Sequence, residues 1–203
     1  MGYRRTVEPT EEPLTLAEVK QHLASADPDL TVDDTWITAQ IAAVRQYAEQ
    51  ETGRSLITQT WARVMDQFPG GCWDGEQGLD GNAIRLEKGP VQSISSIIYV
   101  DMGGSNQTLA TTEYLSDTSG AVTRIAPRFG KLWPIALPQI GSVTVTFVCG
   151  YGARADVPEG LKTWMKLRLA ALYENREEVS AGGPLTPLPF VDSLLNPYRI
   201  LRV

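Results

Sequence analysis

Val143-Thr144-Val145-Thr146-Phe147-Val148-Cys149-Gly150-Tyr151-Gly152 is the stretch on which the fold of this chain turns. Apolar and polar residues alternate strictly from Val143 to Val148, the period of a half-buried strand. Two glycines interrupt the chain, and beyond them the period becomes helical. Pro158 suits the first turn of a helix, and Leu161, Trp164, Met165, Arg168, Leu169 and Leu172 can share one broad face. A β region therefore ends, and a helical region begins, near residue 150.

Upstream of Val143 the β texture extends back to Ile57. Thr58 to Met65 is rich in β-branched and aromatic residues, and Ile84-Arg85-Leu86 and Val91 to Val100 read as further strands. Asp101-Met102-Gly103-Gly104 supplies a turn, after which Glu113-Tyr114-Leu115 and Val122 to Ile125 follow. Short strands at this spacing predict a small antiparallel sandwich or barrel. Before Ile57 the period is helical again. Thr15-Leu16-Ala17-Glu18 has the form of a capping box, and Leu16, Val19 and Leu23 follow at helical spacing. A second helix is expected from Asp33 or Asp34, with Ile37, Ile41, Val44 and Ala48 as its apolar stripe and Gly53 at the left-handed position past its end. At the other extreme, Gly182-Gly183-Pro184 breaks the third helix. Phe190, Leu194 and Leu195 form a short helical face that Asn196-Pro197 stops.

Helical ends around a β middle predict an α+β chain: a discontinuous helical bundle from residues 14–56 and 153–196, carrying a small antiparallel β insertion at 57–150. Residues 1–13, with two prolines and three glutamates, read as a flexible arm, and 197–203 as a C-terminal tail.

Composition narrows the function. The 203 residues carry 18 Lys and Arg against 24 Asp and Glu, a net charge of −6. A protein that grips nucleic acid through phosphates needs clustered cations, whereas an acidic surface would let a duplex slide past. No apolar run reaches the roughly 20 residues of a membrane span. The start, Met1 to Arg5, lacks the apolar stretch of a signal peptide. Cys72 and Cys149 form no CxxC pair, which points to thiols in a reducing compartment and gives a metal site no support.

The residues of catalysis are sparse. His22, the one histidine, falls on or near the polar side of the first helix, where a solvated residue is a better reading than a general base. The glycines at 70, 71, 75 and 78 lack the Lys-Ser or Lys-Thr of a phosphate loop. Asp74, Glu76 and Asp80 lack the spacing of a calcium loop. No catalytic, cofactor or metal residue is assigned, and the chain reads as something other than an enzyme. Trp61, Trp73 and Trp133, with the loop carboxylates, support an alternative: a carbohydrate-binding or hydrolytic accessory module, with aromatic faces stacking on sugar. Trp61 and Trp133 equally suit a β core, while Trp73 stands in a Gly-rich polar loop.

Three stretches carry a resemblance. Leu14-Thr15-Leu16-Ala17-Glu18-Val19-Lys20-Gln21-His22-Leu23, then Asp33-Asp34 and the helix ending Tyr47-Ala48-Glu49-Gln50-Glu51-Thr52-Gly53-Arg54, resembles the start of the head–tail connector (adaptor) proteins of tailed phages. Gln59-Thr60-Trp61, Gly89-Pro90-Val91, Trp133-Pro134 and Phe147 to Gly152 resemble the longer members with a β insertion. Val157-Pro158, Ala170 to Glu177 and Leu194-Leu195-Asn196-Pro197-Tyr198-Arg199 resemble their last helices. The likeness covers residues 14–200. The loop around Cys72 and Trp73 and the linker at Gly182 to Leu185 fall outside it.

The resemblance implies a structural, head-completing role in a phage, prophage or gene transfer agent particle. The chain would be made in the bacterial cytoplasm and placed in the virion neck. There it would form a ring, typically dodecameric, beneath the portal, extending the DNA channel and docking a stopper or tail-terminator-type neck protein. Double-stranded DNA would pass through without specific binding, and no membrane or cofactor is implied. Lys162, Lys166, Glu174, Arg176 and Glu178 are the expected subunit-interface residues. The apolar, doubly cationic tail Tyr198, Arg199, Ile200, Leu201, Arg202 and Val203 is the expected portal contact, ordering on binding or else folding back on the helices.

Overall fold

The computed structural model describes residues 2–23, 33–70, 79–174 and 189–200. The chain divides into two compact units, one of Met1–Pro9 and Thr58–Gly150, the other of Thr10–Ile57 and Tyr151–Val203.

The first unit is built on two antiparallel sheets. Strands β1 (Gly2–Val7), β2 (Gln59–Met65), β4 (Val91–Val100), β5 (Asn106–Thr108) and β8 (Val143–Cys149) form a five-stranded sheet in the order β1-β2-β8-β4-β5. Strands β3 (Ile84–Leu86), β7 (Thr123–Pro127) and β6 (Tyr114–Asp117) form a three-stranded sheet in the order β3-β7-β6. The alternation in β8 decides the packing. Val143, Val145, Phe147 and Cys149 are buried while their neighbours are half-buried, because successive side chains on a strand point to opposite faces. Those four residues, with Met65 and Ile97 of the larger sheet and Ile84, Leu86 and Ile125 of the smaller, make one shared core.

The second unit holds the α-helices α1 (Leu16–His22), α2 (Asp34–Thr52), α3 (Glu159–Glu174) and α4 (Pro189–Ser193). Thr15 caps α1 as a true capping box: its hydroxyl accepts from the Glu18 amide, and the Glu18 carboxylate accepts from the Thr15 amide at 2.7 Å. The Thr15 amide and the Thr15 hydroxyl both donate to the Glu18 carboxylate and hold it below its ordinary range. Gly53 ends α2 at φ 72°, a left-handed conformation that suits glycine. Ile37, Ile41, Val44 and Ala48 pack against Leu161, Trp164, Met165 and Leu169 of α3.

The architecture corrects the sequence reading in two respects. The chain is not a helical bundle with a small β insertion: it is mixed α and β, with two antiparallel sheets sharing a substantial core of their own and, among the described residues, four α-helices in the other unit. Only α2 and α3 are long, at 19 and 16 residues, while α1 and α4 span 7 and 5. Such short helices cannot supply the extended apolar faces of a bundle, whereas β2, β3, β4, β6, β7 and β8 all contribute buried residues to a core of their own. Residues 2–7, expected within a flexible arm, are instead strand β1, paired with β2 from Gly2 opposite Val64 to Val7 opposite Thr60. The strand holds through one aromatic anchor. Tyr3 meets Phe147 edge-on at 6.4 Å, and its hydroxyl accepts from the Glu87 amide at 2.9 Å.

Candidate functional site

The residues of possible catalytic use are dispersed. His22 is exposed at the end of α1, and Cys149 is fully buried in β8. Among the described residues no three His, Cys, Asp or Glu side chains come together as a metal site. Two exposed carboxylates sit below their ordinary range for local reasons. Asp117 accepts from the Ser119 hydroxyl, the Arg124 guanidinium and the Ser119 amide, which lowers its pKa to about 2. Asp101 accepts from the Ser105 amide, the Gln107 side chain and the Gly103 amide at the β4–β5 turn. Both are turn-closing groups. Cys72, Trp73, Asp74 and Glu76 lie outside the described residues.

The described tryptophans of the first unit are occupied. Trp133 stacks on Phe68 at a centroid distance of 4.9 Å, and its indole N–H donates to the Asn82 carbonyl at 2.8 Å. The Trp61 ring lies 4.9 Å from the Lys88 ammonium and 5.8 Å from the Arg5 guanidinium. Neither ring offers the bare face that the carbohydrate reading requires.

The expected interface residues are not one exposed face. Lys162 is buried and Lys166 half-buried, and both ammonium groups turn to Glu159, at 4.0 and 3.6 Å. Glu174 is exposed at the end of α3, while Arg176 and Glu178 lie outside the described residues. The expected tail is tied down as far as it is described. The Arg54 guanidinium donates to the Tyr198 carbonyl at 2.6 Å, the Ile200 amide to the Thr52 carbonyl at 2.9 Å, and Arg199 pairs with Glu51 at 3.0 Å. Tyr198 also comes so close to Gly160 that a Cβ there would stand 2.9 Å from its hydroxyl. Residues Tyr198 to Ile200 thus fold back on α2 and α3. Leu201, Arg202 and Val203 lie outside the described residues.

The surface that the sequence reading missed is the β7–β8 connection, residues 128–141. Phe129, Leu132, Ile135 and Ile140 are 101%, 86%, 77% and 94% exposed, while Trp133 and Ala136 pack inward against the β core. One signal was present in the sequence. No Asp or Glu occurs between Asp117 and Asp156, although the chain as a whole is acidic. A segment without strand alternation, rich in Leu, Ile and Pro, reads as connection rather than surface unless its burial is known.

No family model matches the chain, and no curated protein matches it. Solved structures do. A chain of the neck of an empty gene transfer agent particle, computed with C6 symmetry, superposes with a TM-score of 0.78 at 23% identity. A chain of the virion of a native gene transfer agent particle gives 0.79 at 23%, and one of the native neck, computed with C12 symmetry, gives 0.69 at 24%. Each alignment covers 100% of this chain and 97% of the other. At such identities the likeness is one of fold, and it runs end to end.

Proposed function

We propose that this chain is a structural protein of the neck of a phage-like particle, a head–tail adaptor that forms a ring beneath the portal. The observation that carries this reading is the correspondence of fold over the whole of this chain and 97% of the other. Shared sheets alone would be weak support, since folds are reused across functions. Here the alignment runs over 100% of this chain, and the motifs at residues 14–54 and 157–199 point to the same class of protein. The C6 and C12 symmetry of the particle necks supports a ring, with a dodecamer as its proposed size. The net charge of −6 suits a channel through which duplex DNA slides.

In this reading the C-terminal segment is the portal contact. Tyr198, Arg199 and Ile200 would act as an ordered ledge, because their ties to Arg54, Glu51 and Thr52 are already made in the single chain. Ordering on arrival then costs little at those residues. The other face of the ring would receive a stopper or tail-terminator-type protein.

Electron microscopy of particles made with and without this chain tests the proposal. Loss of the chain should give filled or emptied heads that end at the portal and carry no tail. Complete, tailed particles lacking the chain would overturn it.

A further inference from the structure

We infer that the β7–β8 segment, residues 128–141, is a ring contact that seats on a second copy of this chain, an inference that rests on the neck reading above. Four large apolar side chains standing almost wholly in water are unusual. At roughly 150 Å² each they expose on the order of 600 Å², the upper end of what a monomer displays. That is about three-quarters of one partner's share of a standard interface, about 800 Å². Met102 and Leu115, 62% and 53% exposed, extend the apolar set. They lie two residues from Val100 and Glu113, both of which hold the segment by their carbonyls.

The segment is presented on a fixed frame. Besides Trp133 on Phe68 and Asn82, the Arg128 amide donates to the Glu113 carbonyl and the Leu137 amide to the Val100 carbonyl, each at 2.9 Å. The Gly141 amide donates to the Asp66 carboxylate at 2.9 Å, and the Lys131 ammonium meets Glu113 at 3.1 Å. Pro134 and Pro138 restrict the backbone between these points. Holding the backbone while leaving Phe129, Leu132, Ile135 and Ile140 outside lowers the ordering cost of docking.

Charge and symmetry select the occupant. The segment's charged residues are Arg128 and Lys131, both cationic. The unit formed by Thr10–Ile57 and Tyr151–Val203 has fifteen Asp and Glu against ten Lys and Arg, a net of −5 within the chain's −6. A closed ring of identical chains requires two different, mutually complementary patches on each copy. An apolar-cationic segment and an acidic unit in one sequence meet the electrostatic part of that requirement. Duplex DNA is a poor occupant, since faces that bind it are polar and strongly cationic.

The test places a photoreactive group by Phe129→p-benzoylphenylalanine in the full chain and illuminates assembled particles. The expected product has twice the chain mass of 22.2 kDa, with the second copy cross-linked in its helical unit. In parallel, the triple substitution Phe129→Ser, Leu132→Ser and Ile140→Ser should leave the circular dichroism and melting curve unchanged, because those side chains are exposed. It should cut the incorporated ring at least tenfold. A cross-link to a different protein or to lipid, or a folded triple variant that assembles as the parent does, would overturn the assignment while leaving the neck reading standing. Absence of the unsubstituted chain from the particle neck would remove both.

Discussion

Arg45→Met should destabilise the helical unit by about 3 kcal/mol. Arg45 sits on α2 with only 3% of its surface exposed, its Nε 2.7 Å from Glu12 and its Nη1 3.1 Å from Glu49. Burial alone would lower its pKa, yet the bonds and charges of Glu12 and Glu49 outweigh that cost and raise it. Removing the cation strands the carboxylates. Glu49, 6% exposed, keeps the Leu56 amide at 2.9 Å but loses its counter-charge. Breaking a buried pair from one side costs roughly 3–5 kcal/mol. Glu12, whose side chain is 29% exposed, can turn to water, which sets the loss at the lower end. Met nearly conserves the volume, so the cavity contribution is small. Urea unfolding followed by circular dichroism at 222 nm is the assay, since the α-helices among the described residues lie in this unit. Glu49→Gln should cost less, about 1 kcal/mol, because its amide can still bond Leu56. A loss under about 1 kcal/mol for Arg45→Met would refute the idea that this ion cluster ties Glu12 to α2.

Thr15→Ala should weaken the α1 cap by about 1 kcal/mol at neutral pH. Because the Glu18 pKa is lowered in the folded chain, the cap's contribution is present above the ordinary Glu pKa and is lost as pH falls through the depressed one. Chemical denaturation at several pH values should therefore show less acid sensitivity in the variant than in the parent. Nuclear magnetic resonance titration of Asp117 should give a midpoint of about 2, and Arg124→Ala should move it upward; an unchanged midpoint would mean that Arg124 does not hold it. Fluorescence anisotropy at physiological salt should detect no tight duplex DNA binding, and a steep salt-dependent affinity would revive a DNA-gripping role.

The elements with strong local periodicity could be read without the structure. The Ile37-Ile41-Val44-Ala48 stripe, the Thr15–Glu18 box, the Gly53 stop and the alternation in β8 are all properties of a few neighbouring residues. What could not be read depends on partners distant in sequence. Gly2 to Val7 carries little apolar content, and only the β2 edge and the pocket around Tyr3 make it a strand. Lys162 and Lys166 were expected on an exposed interface face because helical spacing does not reveal how far the packing of α3 buries them or that both turn to Glu159. The balance between helix and sheet was misjudged for a related reason. Short strands each look slight, but pairing across the chain assembles them into a full core of their own. The apolar face at 128–141 was invisible because Phe129 and Trp133 are similar in hydrophobicity, and only burial separates the one facing water from the one facing the core.

The interleaving of the two units bears on when the protein becomes able to assemble. β1 pairs with a strand more than fifty residues later, that strand pairs next with β8, and α2 packs on a helix that begins only at Glu159. The β core cannot close before β8 is made, nor the helical core before α3, and pairings so distant in sequence form slowly. The apolar connection between β7 and β8 is held by Val100 at the end of β4 and Asp66 just past β2, and β8 lies between those two strands, so the connection's frame waits on β8. A nascent chain arrested before Val143 should accordingly show no association through that connection in a sedimentation assay. In the ring reading proposed above, the topology withholds the sticky edge of the subunit from neighbouring copies until β8 has been made.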